Sequence, residues 1–201
     1  MPLDLLSALA VFAFVASATP GPNNLMLLAS GVNFGFQRTI PHMLGVALGF
    51  TFMIVAVGLG ISQLFAAEPR LYVVLKWVSS AYMLWLAWKI ANSGPVATSA
   101  SAGAAPMTFL HAAMFQWVNP KAWAMALTGA AVYTVPTNYL PSLLVMALVF
   151  GLINLPTITC WAAFGVRMRG VLQDPARVRV FNYTMAVLLV ASLIPVLFGL
   201  E

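Results

Sequence analysis

Six long apolar stretches constrain this chain more than any other feature: residues 3–32, 41–66, 70–91, 108–134, 139–166 and 180–200. Each supplies the roughly 20 predominantly apolar residues that a helix needs to cross a bilayer. Across the whole chain 62% of residues are hydrophobic and 6% charged, against about 45–50% and about 25% in soluble domains. The sequence predicts an all-α integral membrane protein, one transmembrane domain over 1–201, with no stretch left for a soluble domain. The segment Ala16-Ser17-Ala18 has the small-residue pattern of a signal-peptidase site. A signal peptide opens on basic residues, however, and this chain opens on Asp4, so the first segment is expected to stay as a span.

The few charges are topogenic rather than a nucleic-acid footprint. The net charge of +5 comes from nine Lys and Arg against four Asp and Glu, scattered between apolar runs. In a six-span arrangement Arg38, Lys89 and the cluster Arg167, Arg169, Arg177 and Arg179 fall on one side. The positive-inside rule makes that side cytoplasmic and puts both termini outside. Trp85 and Trp88 beside Lys89 match an interfacial aromatic belt, and Lys76 is expected to snorkel outward. His42 and His111 stand at span entrances and read as interfacial, and the lone Cys160 reads as packing. The small, uncharged stretch 93–106 reads as an inner linker between halves 1–92 and 107–201.

The first span is too long for a straight helix, about 45 Å against a core of about 30 Å. It is also interrupted by Ala18-Thr19-Pro20-Gly21-Pro22-Asn23-Asn24. Proline lacks an N–H and clashes with the carbonyl four residues back. Pro20, Pro22 and, in the fourth segment, Pro120 should therefore free the carbonyls of Ala16, Ala18 and Gln116. In a bilayer such groups must face protein, water or ligand. A half-helix restarting at Pro22 offers an electropositive N-terminus to an anion, while freed carbonyls suit a cation. The two ends complement a zwitterion, although a kink that only aids packing remains the alternative.

An offset of 100 residues relates the two halves. Pro20, Leu27 and Val32 match Pro120, Leu127 and Val132, and Pro41, Leu44, Ala47, Leu48 and Phe50 match Pro141, Leu144, Ala147, Leu148 and Phe150. Two three-span halves must be inverted relative to each other, with helices 1 and 4 broken at corresponding prolines, the arrangement that marks a secondary transporter's binding site. The fourth-span motif FQWVNPKAW (115–123) contains Lys121, the only charge near the middle of any segment, beside Asn119. A cation at that depth costs at least about 2.5–3.5 kcal/mol and should face the bundle interior. There it has two jobs open to it, holding a substrate carboxylate or exchanging a proton, with structural pairing to carbonyls as the third reading. Asn154 in the fifth span is either a site residue or an interhelical hydrogen-bond partner. The candidate substrate-binding set is thus Thr19, Pro20, Gly21, Pro22, Asn23, Asn24, Asn119, Pro120, Lys121 and Asn154. Glycine pairs Gly31/Gly35 and Gly45/Gly49 suggest close helix contacts, within the chain or between copies in a homo-oligomer.

No nucleophile, base and orienting acid can be assembled, no cofactor or metal cluster is implied, and one cysteine argues against a thiol-redox carrier. A metal-ion exporter of related fold would want intramembrane carboxylates or histidines.

The motifs ATPGPNN, NFGFQR, LGVALGF, AYMLWLAWKIA and FQWVNPKAW together resemble the LysE/RhtB family of amino-acid exporters over essentially the whole chain. The combination of TPGPNN, FQ-x-VN-x-K and Cys160-Trp161 is similar to the branch containing the cysteine and O-acetylserine exporter. The resemblance implies a six-span bacterial inner-membrane exporter driven by an ion gradient, with a proton as the expected coupling ion. It departs at Phe50-Thr51, where many members carry an acid, and in having Arg38 alone in the first link. Without that acid a small neutral amino acid fits better than a cationic one.

Overall fold

The computed structural model describes residues 1–68, 70–92, 105–170, 172 and 174–194, less the side chains of residues 65, 66, 72 and 175. The expected linker lies mainly in 93–104, outside the described residues. Everything regular among the described residues is helical: α1 (Leu3–Ala18), α2 (Pro22–Phe34), α3 (Phe36–Ala56), α4 (Ser62–Ala67), α5 (Arg70–Ala91), α6 (Phe109–Phe115), α7 (Pro120–Val132), α8 (Tyr139–Met168) and α9 (Pro175–Ala191). Two helical runs, Phe36–Leu64 and Pro136–Met168, are each long and apolar enough to cross a membrane. Leu3–Ala18 and Pro22–Phe34 pass the same test when taken together, as a pair bent by 52° at their break.

The local chemistry explains the breaks. Gly21 is extended and Pro22 takes the first position of α2, where its missing N–H costs nothing. Asn119 caps α7 by accepting from the Lys121 amide, with Pro120 at the first position. Gly35, at φ 78°, is the single non-helical residue between α2 and α3, so NFGFQR is a tight corner. A π-helical segment, Val57–Ile61, continues α3, with Gly60 at φ 154°. Within it the Gly58 carbonyl accepts the Tyr139 hydroxyl at 2.8 Å, so the distorted turn leaves that group satisfied.

Backbones approach closely where glycine permits it. A Cβ on Gly45 would strike the Phe109 carbonyl and Ala112, and one on Gly49 would strike Ala113. The contact advances in the same chain direction on both helices, so α3 and α6 run parallel. Phe12 meets Phe150, and further along Gly31 and Gly165 abut Ala162 and Leu28, so α1 and α2 run parallel to α8. The helix α3 also packs along α8, and α5 packs on α9. Gly31, Gly45 and Gly49 are thus helix contacts within the chain, whereas Gly35 serves the corner.

Buried apolar residues form three clusters, and the opposite faces of the same helices expose Leu44, Leu48, Phe52, Leu144, Leu148 and Leu152. Such a surface matches hydrocarbon rather than water. Lys89 lies 4.7 Å over the Trp85 ring, in keeping with the expected belt. Two expectations fail. His42 is not interfacial but 2% exposed, because the corner at Gly35 starts α3 earlier and carries His42 into the helix packing. Cys160 is exposed on α8, on a face that the neighbouring helices do not cover.

Candidate functional site

The two breaks meet. The Asn23 amide donates to Gln116 Oε1 at 2.8 Å, and Gln116 Nε2 donates back to Asn23 Oδ1 at 3.2 Å. Gln116 is fully buried and also donates to the Ala112 carbonyl, which holds its amide in one orientation. On the other side of the junction Lys121 Nζ donates to the Thr19 carbonyl at 2.6 Å. The end of α1 is closed by Asn24, whose Nδ2 donates to Ser17 O at 2.7 Å and Thr19 O at 2.9 Å.

Of the expected free carbonyls, that of Gln116 is corrected. Other carbonyls at the end of α1 find side-chain donors: Val15 O accepts the Thr19 hydroxyl, and Ser17 O and Thr19 O are taken by Asn24 and Lys121. The Gln116 carbonyl accepts the Asn119 N–H at 3.2 Å through the 3-10 turn Gln116–Val118. The Gln116 carbonyl is thus taken locally, while no side-chain donor among the described residues reaches those of Ala16 and Ala18.

A cavity of about 30 Å³ lies at this junction, lined by Gly21, Asn23, Asn24, Asn119, Lys121 and Asn154 of the expected set. Apolar walls come from Ala16, Phe50, Ala122 and Met125. The volume holds about two waters at about 10–15 Å³ each. Pro22 and Pro120 are buried and start their half-helices, while the side chains of Thr19 and Pro20 are exposed and leave the cavity lining to their neighbours. Lys121 reaches so far across that a Cβ on Gly21 would lie 3.1 Å from Nζ. Glycine at position 21 is what admits the ammonium to the start of α2.

The two half-helices differ at their N-termini. The start of α7 is capped by Asn119 Oδ1, whereas α2 has no side-chain cap. The uncapped end of α2 and the Lys121 ammonium converge on one cavity, and both favour an anion. No Asp or Glu lines it. Across from them Asn154, 6% exposed, has no side-chain hydrogen bond to protein and faces the cavity, so it is not the interhelical partner that was one of its two readings. Ser17 Oγ is likewise buried, at the cavity wall and without a partner. Unpaired buried polar atoms are costly and mark places where a ligand or water is accepted.

Two residues escaped the sequence reading. Gln116 was detectable as a second amide three positions before Asn119 in FQWVNPKAW. Ser17 had no signal beyond its nearness to the break.

The family model described as LysE type translocator matches residues 14–197. The chain belongs to the LysE family. Among the similar proteins, the cysteine/O-acetylserine efflux protein of Salmonella choleraesuis is 34% identical over 163 residues, 80% of this chain and 82% of that protein. The protein of the same name from Escherichia coli K12 is 30% identical over 188 residues, covering 92% and 94%. That of Klebsiella pneumoniae is 32% identical over 163 residues, with 80% and 82% covered. No solved structure matches the chain. This LysE family member is accordingly a membrane translocator rather than an enzyme, and the sequence resemblance stands.

Proposed function

We propose that this LysE family member is a secondary-active exporter of small neutral amino acids or their derivatives, and that the cavity between the two breaks is its substrate site. The observation that carries this reading is the convergence of the uncapped α2 N-terminus and the Lys121 ammonium on a cavity without carboxylates. A substrate carboxylate would be held there by Lys121 and the first amides of α2. The Asn154 amide and Ser17 Oγ, which have no protein partner, are the acceptors open to the substrate ammonium. Small walls of Ala16 and Ala122 favour a short side chain. The relatives' names give cysteine and O-acetylserine as the first substrates to try. At about 30 Å³ the cavity admits an amino acid only when the breaks move apart, so the geometry is that of a closed carrier.

The chain is proposed to cross the bacterial inner membrane six times, as two inverted halves, with both termini outside and a proton as the coupling ion. The packing supports this. Exchanging the first and fourth spans, and the second and fifth, turns the α1/α2–α8 pairing into the α6–α3 pairing, and both are parallel. Parallel α3 and α6 also require a crossing between them, which α5 supplies.

Counterflow in proteoliposomes tests the reading. Vesicles loaded with unlabelled O-acetyl-L-serine or L-cysteine should take up the labelled compound far faster than protein-free vesicles. L-Lysine should compete poorly. Failure of every small neutral amino acid to exchange would refute the proposal.

A further inference from the structure

The two half-helices are covered differently, although the offset of 100 residues makes them counterparts. Gly21 and Lys121 both line the cavity. Residues four, seven and eleven positions further on share their face of the helix, giving Gly21, Leu25, Leu28 and Val32 on α2 and Lys121, Met125, Thr128 and Val132 on α7. The α2 stripe is sealed along its length. Leu25, Leu28 and Val32 are buried in one apolar cluster with Met83 of α5 and Phe181 and Met185 of α9. The backbone of α8 lies against it, Gly165 at the Leu28 carbonyl and Ala162 at Gly31. The α7 stripe is open instead. Met125 is half-buried, Thr128 is exposed, and Val132 is 55% exposed where Val32 is 0%.

The stripe on α7 also differs from a helix face turned to hydrocarbon. A threonine in lipid satisfies its hydroxyl by donating to the carbonyl four residues back. Among the described residues the other threonines within α-helices, Thr39, Thr51, Thr157, Thr159 and Thr184, all do so. The Thr128 hydroxyl has no hydrogen bond to protein and is open to a polar group beside it. The neighbouring helix explains why the stripe is uncovered. In α8 residues 157–161 are regular helix, which runs on unbroken to Ala162 and Gly165. Their counterpart in the first half is the π-helical turn Val57–Ile61, with Gly60 at φ 154°, a backbone that favours glycine. Beyond that turn α4 packs on α5 more than on α7, and Ala131, the counterpart of Gly31, is left exposed.

We propose that the stripe of Lys121, Met125, Thr128 and Val132 is the path by which substrate leaves the cavity for the outer surface. This path rests on the exporter reading and its inverted halves, and it adds the route of release. With both termini outside, α2 leads from the cavity to the inner surface and α7 to the outer one. The inner route is therefore sealed, while the outer route lies open beyond the cavity. Lys121 shuts the near end of it through the bond to the Thr19 carbonyl. A substrate carboxylate that takes over the ammonium releases that tie. Thr128 stands seven residues further on, about 10 Å, and its hydroxyl offers the departing substrate both a donor and an acceptor. Met125 between them is unbranched and gives way by changing rotamer. Straightening the π-helical turn would set Ser62 against Ala131, as Ala162 is set against Gly31, and so shut the path behind the released substrate.

Thiol labelling tests the path in a Cys160→Ala background, which removes the native thiol. The probe is 2-sulfonatoethyl methanethiosulfonate, an anion that attacks thiolates in water and does not cross membranes. In spheroplasts Thr128→Cys should react at least about tenfold faster than Leu148→Cys, which is 60% exposed on a face turned to lipid, where a thiol does not ionise. In everted vesicles, which present the inner side, Thr128→Cys should react as slowly as Leu148→Cys. Once modified and reconstituted, Thr128→Cys should lose the O-acetyl-L-serine counterflow that it shows unmodified. Val132→Cys, one turn further out, gives a second position for the same readings. Labelling at both positions no faster than Leu148→Cys in spheroplasts would overturn the proposal, since it would make the stripe a lipid face. So would labelling from the inner side at a rate equal to or above that from the outer, or full counterflow after complete modification. Absence of counterflow from the wild-type protein would instead sink the exporter reading, and the path with it.

Discussion

Replacing Asn24 by leucine removes the two bonds that close the end of α1 while keeping the branched shape and heavy-atom count of the side chain. The cost can be worked from the partners. Ser17 O would lose the one side-chain donor it has and remain buried, at about 1–3 kcal/mol for an unsatisfied group. Thr19 O would lose one bond but keep Lys121, at about 0.5–1.5 kcal/mol. The sum is about 1.5–4.5 kcal/mol, large for a single substitution. A matched control exists in Asn92, whose amide donates to the Trp88 carbonyl at an exposed position. Water replaces that bond, so Asn92→Leu should change stability by no more than about 0.5 kcal/mol. Equilibrium unfolding of the purified protein in mixed micelles, followed by helical circular dichroism, reads both differences. Equal midpoints for the two variants would refute the claim that Asn24 closes the break.

Replacing Pro20, Gly21 and Pro22 together by alanine should let α1 and α2 join as one helix. Membrane insertion should survive and counterflow should fall to background; full transport by that variant would make the motif a packing kink. Gly165→Ala would drive a methyl into the Leu28 carbonyl, at about 1–3 kcal/mol of overpacking. Gly170→Ala, with open space around it, should change stability by no more than about 0.5 kcal/mol, as the same unfolding assay would show. Reporter fusions after Gly94 and after Glu201 should report opposite sides, the first cytoplasmic, and an inner signal from both would overturn the six-span arrangement.

The breaks were legible because proline and glycine act locally. Pro22 and Pro120 each begin a half-helix, and the 52° bend falls where ATPGPNN stands. Lys121 and Asn154 were legible because a polar group in an apolar run must face inward. Direction around the helices was not legible. In a bilayer both the lipid face and the packed face are apolar, so periodicity carries little contrast. That is why His42 was misjudged as interfacial and Cys160 as packed. It also concealed that the Asn23 amide is spent on Gln116, a pairing 93 positions apart in sequence that only the folded bundle creates. The π-helical turn at Val57–Ile61 left no trace because Gly58 and Gly60 fit an ordinary membrane helix equally well.

The central claim is that Lys121 binds the substrate carboxylate at the junction of the breaks. Lys121→Met keeps the length of the side chain and removes the charge, and it also relieves an insertion cost of about 2.5–3.5 kcal/mol, so the protein should still fold. A hydrogen bond to a charged group contributes about 1.5–3 kcal/mol, which corresponds to a loss of about 10- to 100-fold in affinity. Counterflow of O-acetyl-L-serine measured over a range of concentrations reads this as a rise in KM of that size. Unchanged KM together with unchanged pH-driven accumulation would contradict the account and leave Lys121 as a tie to the Thr19 carbonyl.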